Sequence, residues 1–488
     1  MTEPADLVVV GAGPAGMAAA VTALAGGLRV ALVDSGTTVG GQFWRHPPEH
    51  ARAAIPTDDL HHRLREHRAL CGALSAGREA GRLDARLAHH VWSAVHEDGG
   101  FAVHAVDRRT PPRERTVVLR APRLLVATGA YDRQLPFPGW DLPGVLTVGG
   151  LQALLKGGGV VAGSRVALGG TGPFLLPVAA ALAARGAEVV AVCEAAHPGA
   201  WLRHPGALLR NPGKWAEGAG YAAALARHRV RVRPRTAIVA AEGDDRVTSV
   251  RIAALAADGS PRPGTERRAA VDAVGVGWGF VPQLDLLLPF GCRLTETADG
   301  NAVVAVDDGR RTSVPGLYAA GETCGVGGAA LALAEGRLAA ESVLADSGAA
   351  SVLGPARRAG VRAAVARGRA FARALALAHP VPPAWSSWLT DETVVCRCEE
   401  VSAGTVRAAR ADDDARDHRQ VKHLTRAGMG WCQGRMCGPA VHCLAAGEGA
   451  YTPAERLVAT PLTLGALADL DDRPSAATDT GGTDKECS

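Results

Sequence analysis

Two glycine-rich turns, about 160 residues apart, constrain the fold of this chain more than any other feature. The first is Gly-Ala-Gly-Pro-Ala-Gly at residues 11–16, and the second is Gly-Thr-Gly-Pro-Phe-Leu at residues 170–175. Each turn follows an apolar segment and precedes an alanine-rich segment and then a strand pattern, which ends in an acidic residue, Asp34 or Glu194. This order predicts two βαβ dinucleotide-binding units.

The remaining patterns predict that the second unit is inserted into the first. A strand pattern at residues 270–280 leads out of the second unit, and residues 317–322 return the chain to the first. We predict an α/β fold of two nested Rossmann-like dinucleotide-binding domains, with a small α-rich module near the C-terminal end. The predicted parts are a first domain over residues 1–150 and 286–345, a second domain over 151–285, a connecting helix within 346–390, a cysteine-rich module over 391–450 and a C-terminal extension over 451–488 with a disordered tail.

Length and charge exclude several classes of protein. The 488 residues exceed a single hydrophobic core of roughly 250–300 residues. The net charge is only +4, so we expect no nucleic acid partner. We see no secretory signal and no apolar run long enough to span a membrane, which predicts a cytoplasmic protein without a transmembrane segment and leaves peripheral attachment to the inner face of the membrane open. Ten cysteines, four of them clustered, predict metal ligands and free thiols instead of disulfides.

The first glycine turn has the residues that a bound dinucleotide requires. Gly11 permits the sharp turn after the strand, Gly13 lets the backbone approach a pyrophosphate, and Gly16 lets the helix pack close to the strand. The helix that begins at Pro14 offers unpaired N–H groups to phosphate, and Asp34 can accept hydrogen bonds from ribose hydroxyls. A lone turn of this kind is also compatible with a purely structural strand–turn–helix. Its place at the start of the chain favours FAD.

Three further motifs support a flavin site. They are Gly-Gly-Gln at residues 40–42, Ala-Thr-Gly at 127–129, and Gly321-Glu322 ahead of a helix that begins near Gly328. With them the sequence resembles the flavoproteins of the thioredoxin reductase type, which have two dinucleotide-binding domains. The resemblance implies that Glu322 holds the ribityl chain and that Gly328 and Ala329 lie under the flavin. The predicted FAD-binding residues are Gly11, Gly13, Pro14, Ala15, Gly16, Asp34, Ser35, Gly41, Gln42, Ala127, Thr128, Gly129, Gly321, Glu322, Gly328 and Ala329.

The second glycine turn is incomplete. Leu175 stands where a third glycine would let the helix and strand approach closely. The predicted nucleotide contacts are Gly170, Gly172, Pro173 and Glu194, and the carboxylate of Glu194 favours NAD over NADP because it repels a 2′-phosphate. The sequence leaves three alternatives open for this second site: it binds NAD(P), it binds another nucleotide, or it keeps the fold and binds no nucleotide.

Four cysteines near the C-terminal end predict a metal centre. Cys396 and Cys398 form one pair, and Cys432 and Cys437 form another after 33 intervening residues. Four thiolates are the usual ligands of a [2Fe–2S] cluster, and glycines around the second pair would let backbone N–H groups point at sulfur. Structural zinc is an alternative, although zinc sites more often have two to four residues between paired cysteines, and free thiols are another. Residues 394–437 are similar to the [2Fe–2S] domain of the bacterioferritin-associated ferredoxin type.

The spacing of Cys432 and Cys437 is typical of a narrower group. With residues 277–282 and the Gly172-Pro173 dipeptide, it makes almost the whole chain resemble the FAD and iron–sulfur subunits of opine oxidases, hydrogen cyanide synthase and dye-linked proline or hydroxyproline dehydrogenases. The matching part of the sarcosine oxidase alpha subunit belongs to the same pattern.

The resemblance implies an electron-transfer subunit. An opine, proline, hydroxyproline, glycine or sarcosine-like amine would be oxidised on a partner flavoprotein similar to D-amino-acid oxidase, with or without a small additional subunit. Electrons would then pass through the cluster and FAD here to a quinone, a dye or oxygen. The sequence shows no general base or nucleophile triad, so we predict no catalytic residue in this chain. The alternatives are a self-contained NAD(P)H-dependent reductase and a non-catalytic assembly or iron-handling protein.

Overall fold

The computed structural model of the chain describes residues 4–109, 114–445, 451–456 and 458–470. The predicted disordered tail, at residues 471–488, lies outside them. In the described part the strands are β1 (Leu7–Val10), β2 (Val30–Val33), β3 (Leu83–Arg86), β4 (His89–Glu97), β5 (Gly100–Asp107), β6 (Arg115–Ala121), β7 (Leu124–Val126), β8 (Ala130–Asp132), β9 (Val145–Thr147), β10 (Arg165–Gly170), β11 (Glu188–Glu194), β12 (Val232–Pro234), β13 (Thr236–Glu242), β14 (Ser249–Ala254), β15 (Arg267–Ala270), β16 (Ala273–Gly277), β17 (Phe280–Pro282), β18 (Leu294–Glu296), β19 (Ala302–Val304), β20 (Leu317–Ala319), β21 (Val394–Cys396) and β22 (Val401–Ser402). The helices are α1 (Pro14–Ala25), α2 (Glu49–Arg52), α3 (Leu64–Glu79), α4 (Val148–Gly158), α5 (Leu175–Ala184), α6 (Pro205–Leu209), α7 (Pro212–Arg227), α8 (Ala329–Asp346), α9 (Pro355–Ala378), α10 (Ala403–Asp412), α11 (His418–Thr425), α12 (Gly438–Ala445) and α13 (Leu464–Ala468).

A parallel sheet in the order β20-β7-β1-β2-β3 carries the first glycine turn. Every residue of β1 and β2 is buried, because helices or a second layer cover both faces, as in other parallel sheets. Helices α1 and α8 pack against each other on one face of this sheet. The antiparallel sheet β4-β5-β6 covers the other face, and its Phe101 and Val103 share a core with Val8 and Val10 of β1.

A second parallel sheet, in the order β12-β11-β10-β16-β9, is inserted between β7 and β20. The chain leaves the first sheet through β8 and returns through β17, and these two strands pair in an antiparallel manner. The predicted fold class, two nested Rossmann-like domains, is confirmed. Strand β9 belongs to the second sheet, so the predicted boundary at residue 150 falls inside α4, after the chain has already crossed.

The cysteine-rich module docks on the second domain through tryptophan side chains. The Trp140 indole donates a hydrogen bond to the Val394 carbonyl (2.6 Å), and the Trp388 indole donates to the Gly259 carbonyl (3.0 Å). The buried Trp388 and Trp278 rings lie 5.6 Å apart in a core that also contains Cys396. Helix α9, which packs along α8, leads into this module. Among the described residues, no helix has the length and apolar character needed to cross a bilayer.

Candidate functional site

The four predicted ligand cysteines come together at one end of the cysteine-rich module. Cys396 ends β21 and Cys398 lies in the turn that follows, while Cys432 and Cys437 lie in the loop between α11 and α12. The Cys437 thiol is in hydrogen-bonding contact with Cys396 and with Cys432, and Cys398 contacts Cys432. At Gly430 the loop passes so close that a Cβ atom would lie 2.2 Å from the Cys398 Cβ. A glycine is therefore required there to close the site.

The contacts among the sulfurs favour thiolates at Cys396 and Cys432. Because the Cys437 thiol keeps its proton and is in hydrogen-bonding contact with both neighbours, the pKa of Cys396 falls to about 6 and that of Cys432 to about 5, while the pKa of Cys437 is raised. The Gly428 amide adds a hydrogen bond to the Cys396 sulfur at 3.4 Å. For Cys398, the Cys432 amide favours the thiolate, but burial and the negative charge of Cys432 outweigh it and raise the pKa. Two of the four thiols, Cys396 and Cys432, thus release their protons more readily than a free cysteine, and thiolate is the metal-binding form of cysteine.

The arrangement of the four sulfurs fits a binuclear cluster. Their contacts run in a row from Cys396 through Cys437 and Cys432 to Cys398. A [2Fe–2S] cluster takes two protein ligands on each iron. The ends of the row would supply these pairs, Cys396 with Cys437 and Cys398 with Cys432.

A buried ion cluster, which sequence reasoning missed, fixes the cysteine loop to the rest of the chain. The carboxylate of Asp285, just after β17, accepts hydrogen bonds from Arg435 and Arg456, both at 2.9 Å. Arg435 also donates to the Cys432 carbonyl (3.2 Å), and Arg456 donates to the Gln433 carbonyl. All three charged side chains are buried or nearly so. No local motif links Arg435 to Asp285, because 150 residues separate them in the sequence.

The first glycine turn leaves room for a ligand at the start of α1. Gly13 has an ordinary φ of −74°, and a Cβ atom there would have no neighbour closer than 4.0 Å. Protein packing therefore does not require glycine at this position. Across this space, Gly41 lies so close that its Cβ would be 2.8 Å from the Gly13 Cα. The open space and the N–H groups of α1 fit a bound pyrophosphate.

Asp34 has a structural role that the sequence did not indicate. Its carboxylate accepts hydrogen bonds from the backbone amides of Ala12 (2.5 Å) and Gly36 (2.6 Å), so it fastens the glycine turn to the end of β2. Burial raises the pKa of Asp34, although the two amides oppose this. The predicted contact with ribose stays a prediction, as does that of the neighbouring, exposed Ser35.

The other predicted flavin motifs surround the same turn. Gly321 lies against Ala15, because a Cβ at Gly321 would be 2.9 Å from the Ala15 Cβ. Burial raises the pKa of Glu322, opposed by the Gly328 amide and by Arg369. Ala127, Thr128 and Gly129 follow the end of β7, and the Thr128 hydroxyl donates a hydrogen bond to the Gln283 carbonyl. Ala329 begins α8. Gln42 follows Gly41, and its side chain accepts a hydrogen bond from Arg45.

Arg369 of the connecting helix closes the turn that contains Glu322. Its guanidinium donates to the carbonyls of Gly321 (3.2 Å) and Gly325 (2.6 Å) and pairs with the fully buried Glu335 (2.7 Å). Neither Arg369 nor Glu335 was predicted, because no local motif marks them. Helix α9 therefore supports the turn that contains the predicted flavin ligand Glu322.

The second glycine turn is fastened in the same way as the first, and a histidine lies beside its acidic residue. Glu194 accepts hydrogen bonds from the amides of Gly172 (3.0 Å) and Ala196 (2.9 Å). His379, just after α9, brings its Nδ1 within 3.5 Å of the Glu194 carboxylate and accepts a hydrogen bond from the Trp201 indole (3.0 Å). Gly170 and Pro173 lie in the turn itself, and the buried Leu175 begins α5. The predicted nucleotide contacts here stay predictions.

Comparison with known proteins shows the family. Residues 5–336 match the pyridine nucleotide-disulphide oxidoreductase family, and residues 394–446 match the BFD-like [2Fe–2S] binding domain. An opine oxidase subunit from Rhizobium meliloti (strain 1021) is 35% identical, over 95% of this chain and 98% of the relative. Hydrogen cyanide synthase subunit HcnB of Pseudomonas protegens is 32% identical, over 88% of this chain and 89% of the relative.

A solved structure shows the same fold. L-proline dehydrogenase from P. horikoshii has a TM-score of 0.64 and 18% identity, with 95% of this chain and 79% of that chain covered. The predicted cofactors, FAD and a [2Fe–2S] cluster, and the resemblance to the opine oxidase and hydrogen cyanide synthase subunits are confirmed. The chain belongs to the pyridine nucleotide-disulphide oxidoreductase family, in a form that carries a BFD-like [2Fe–2S] domain near its C-terminal end.

Proposed function

We propose that this chain is the electron-transfer subunit of a hetero-oligomeric dehydrogenase or oxidase of amines or amino acids. Two relatives are named as subunits of an opine oxidase and of hydrogen cyanide synthase. The partner would be an amine-oxidising flavoprotein, similar to D-amino-acid oxidase, that removes hydride from the carbon beside the amine nitrogen. Electrons would leave through this chain to a quinone, a dye or oxygen.

The observation that carries the proposal is the attachment of the cysteine loop to the flavin domain through Asp285. This carboxylate follows the strand crossing between the two nucleotide domains, and it holds Arg435 of the cysteine-rich module and Arg456, which follows that module in sequence. FAD, when bound, takes electrons in pairs, and a [2Fe–2S] cluster carries them singly. Residues that hold the two sites in one fixed arrangement are what such a relay requires.

The second glycine turn disfavours a self-contained NAD(P)H-dependent reductase. His379, which accepts a hydrogen bond from Trp201, lies at Glu194, the residue that would recognise a nucleotide ribose. Leu175 is buried where a third glycine would allow close approach. These contacts support a partner flavoprotein as the source of electrons.

The decisive experiment is to purify the chain anaerobically, confirm flavin and iron, and mix it with NADH or NADPH in a stopped-flow instrument. We expect no loss of flavin absorbance on the timescale of turnover, while dithionite reduces both centres. A co-purified partner flavoprotein with its amine substrate should then reduce this chain. Fast bleaching by NADH or NADPH would instead identify a self-contained reductase, and absence of both cofactors would favour an assembly role.

Replacing Cys432 tests the proposed cluster ligands. We expect Cys432→Ser to abolish the visible and paramagnetic resonance signals of the cluster and to spare FAD, because one iron loses a thiolate ligand. Cys443→Ser is the matched control, since Cys443 is an exposed cysteine of the same module outside the row of four. Unchanged iron content in Cys432→Ser would show that the ligand assignment is wrong.

Replacing Gly13 tests the proposed pyrophosphate site. A Cβ atom there has space in the protein itself, so we expect Gly13→Val to keep its fold and its cluster but to lose FAD, because the side chain fills the ligand's place. Gly72→Val, in α3 of the same domain and also without neighbours within 4 Å, should retain FAD. Flavin content after gel filtration measures both. Equal FAD retention in the two variants would place the cofactor elsewhere.

Replacing Asp285 tests the attachment of the cysteine loop. Asp285→Asn leaves Arg435 and Arg456 without their counter-charge, so we expect a loss of about 3–5 kcal/mol in the free energy of unfolding. We also expect a higher cluster reduction potential, because uncompensated positive charge favours the reduced form. Asp391→Asn, in an exposed pair with Arg407 in the same module, should change neither quantity measurably. An unchanged melting temperature and potential in Asp285→Asn would contradict the role given to this ion cluster.

A further inference from the structure

The segment between β11 and β12 presents three large apolar side chains to solvent. Leu202 is 84% exposed, Leu209 80% and Trp215 57%. They lie at the end of the helical turn Pro198–Arg203, at the end of α6 and in the first turn of α7. Single exposed apolar residues are ordinary on protein surfaces, but three of this size within 14 residues are not. We name Leu202, Leu209 and Trp215, with the cations between them, the 202–215 surface.

The 202–215 surface is held in place by the body of the protein. Trp201, next to Leu202, stacks on Phe371 of α9 with ring centroids 5.7 Å apart. The Trp215 indole N–H donates to the Leu208 carbonyl (3.2 Å), so the polar edge of this side chain is satisfied while much of its ring faces solvent. The apolar side chains are therefore presented by a fixed backbone.

Positive charge alternates with these apolar side chains. Arg203 follows Leu202 and Arg210 follows Leu209, and both arginines are exposed. Neither has an acidic partner among the residues that the structure describes, whereas Lys214 pairs with Glu217 at 2.7 Å. Residues 195–216 contain no aspartate or glutamate. A chain with a net charge of only +4 thus concentrates unpaired cations where it exposes apolar groups.

We propose that the 202–215 surface binds an anionic lipid bilayer. Leucine side chains can enter the boundary between headgroups and acyl chains, and an exposed tryptophan is favourable at the headgroup level. Arginines beside them meet the negative surface of the leaflet. Because residues 195–216 contain no carboxylate, the charge of this surface is complementary to that of an anionic leaflet. The attachment is peripheral and does not depend on the proposed electron-transfer function.

The test is sedimentation of the full chain, loaded with FAD and iron, with large vesicles. We expect roughly tenfold or more tighter binding to phosphatidylcholine vesicles that contain phosphatidylglycerol than to pure phosphatidylcholine, and weaker binding at high salt. Leu202→Ala/Leu209→Ala/Trp215→Ala should lower binding by about tenfold or more. Arg203→Gln/Arg210→Gln, which changes no packed residue, should remove the preference for phosphatidylglycerol.

The chain offers a matched control. Leu464 (85% exposed), Trp431 (80%) and Leu424 (52%) are of the same types and similarly exposed, but they lie on other elements. Leu464→Ala/Trp431→Ala/Leu424→Ala should bind vesicles as the unmodified chain does. The proposal is overturned by failure to bind phosphatidylglycerol vesicles, by an equal loss in the control triple, or by unchanged binding in both the alanine and the glutamine variants. It is also overturned if the alanine triple keeps lipid binding but no longer associates with a partner subunit, since the surface would then be a protein interface.

Discussion

The buried carboxylate of Glu335 joins three parts of the chain that are separated in sequence. It lies in α8 and accepts hydrogen bonds from Arg310 (3.0 Å), from Arg369 (2.7 Å) and from the Gly321 amide (3.0 Å). Charged partners on two sides satisfy a group whose burial alone would be costly, and removing one of them from such a cluster costs about 3–5 kcal/mol. Because Gly321 precedes Glu322 and Arg369 lies on α9, one carboxylate sets both the flavin turn and the connecting helix.

The position of the cysteine-rich module follows from that helix. Arg369 fixes the middle of α9, His379 meets Glu194 just beyond its end, and Trp385 then donates its indole N–H to the Pro136 carbonyl at 2.8 Å. Asp285 completes the attachment from the other side by holding the cysteine loop. Two buried ion clusters thus attach the cysteine-rich module and its connecting helix to the flavin domain. One is built on Glu335 and the other on Asp285. Charges fixed beside sulfur would help to set the reduction potential of a bound cluster.

What could be predicted from the sequence is what depends on local spacing. The glycine turn at residues 11–16 and the four cysteines are recognisable because neighbouring residues must form one turn or one ligand loop. Glu335 and Arg369, 34 residues apart, and Asp285 and Arg456, 171 residues apart, follow no period and no motif. Their pairing exists only once two domains and a module are packed. The predicted domain boundary at residue 150 lies beyond the point where the chain crosses into the second sheet. The strand that marks this crossing, β9, is only three residues long and follows a segment rich in proline and glycine, so its sequence has no recognisable strand pattern.

The two glycine turns also show why a glycine-rich turn in the sequence is stronger evidence for a βαβ fold than for a bound nucleotide. Asp34 and Glu194 each hold their own turn through backbone amides, so either unit can form without a nucleotide. The middle glycines differ. Gly172 has a φ of +98°, so the backbone itself requires glycine there, whereas Gly13 has an ordinary φ and open space around its missing side chain. Of these two glycines, Gly13 is the one whose missing side chain the protein itself does not explain, and a bound phosphate would explain it.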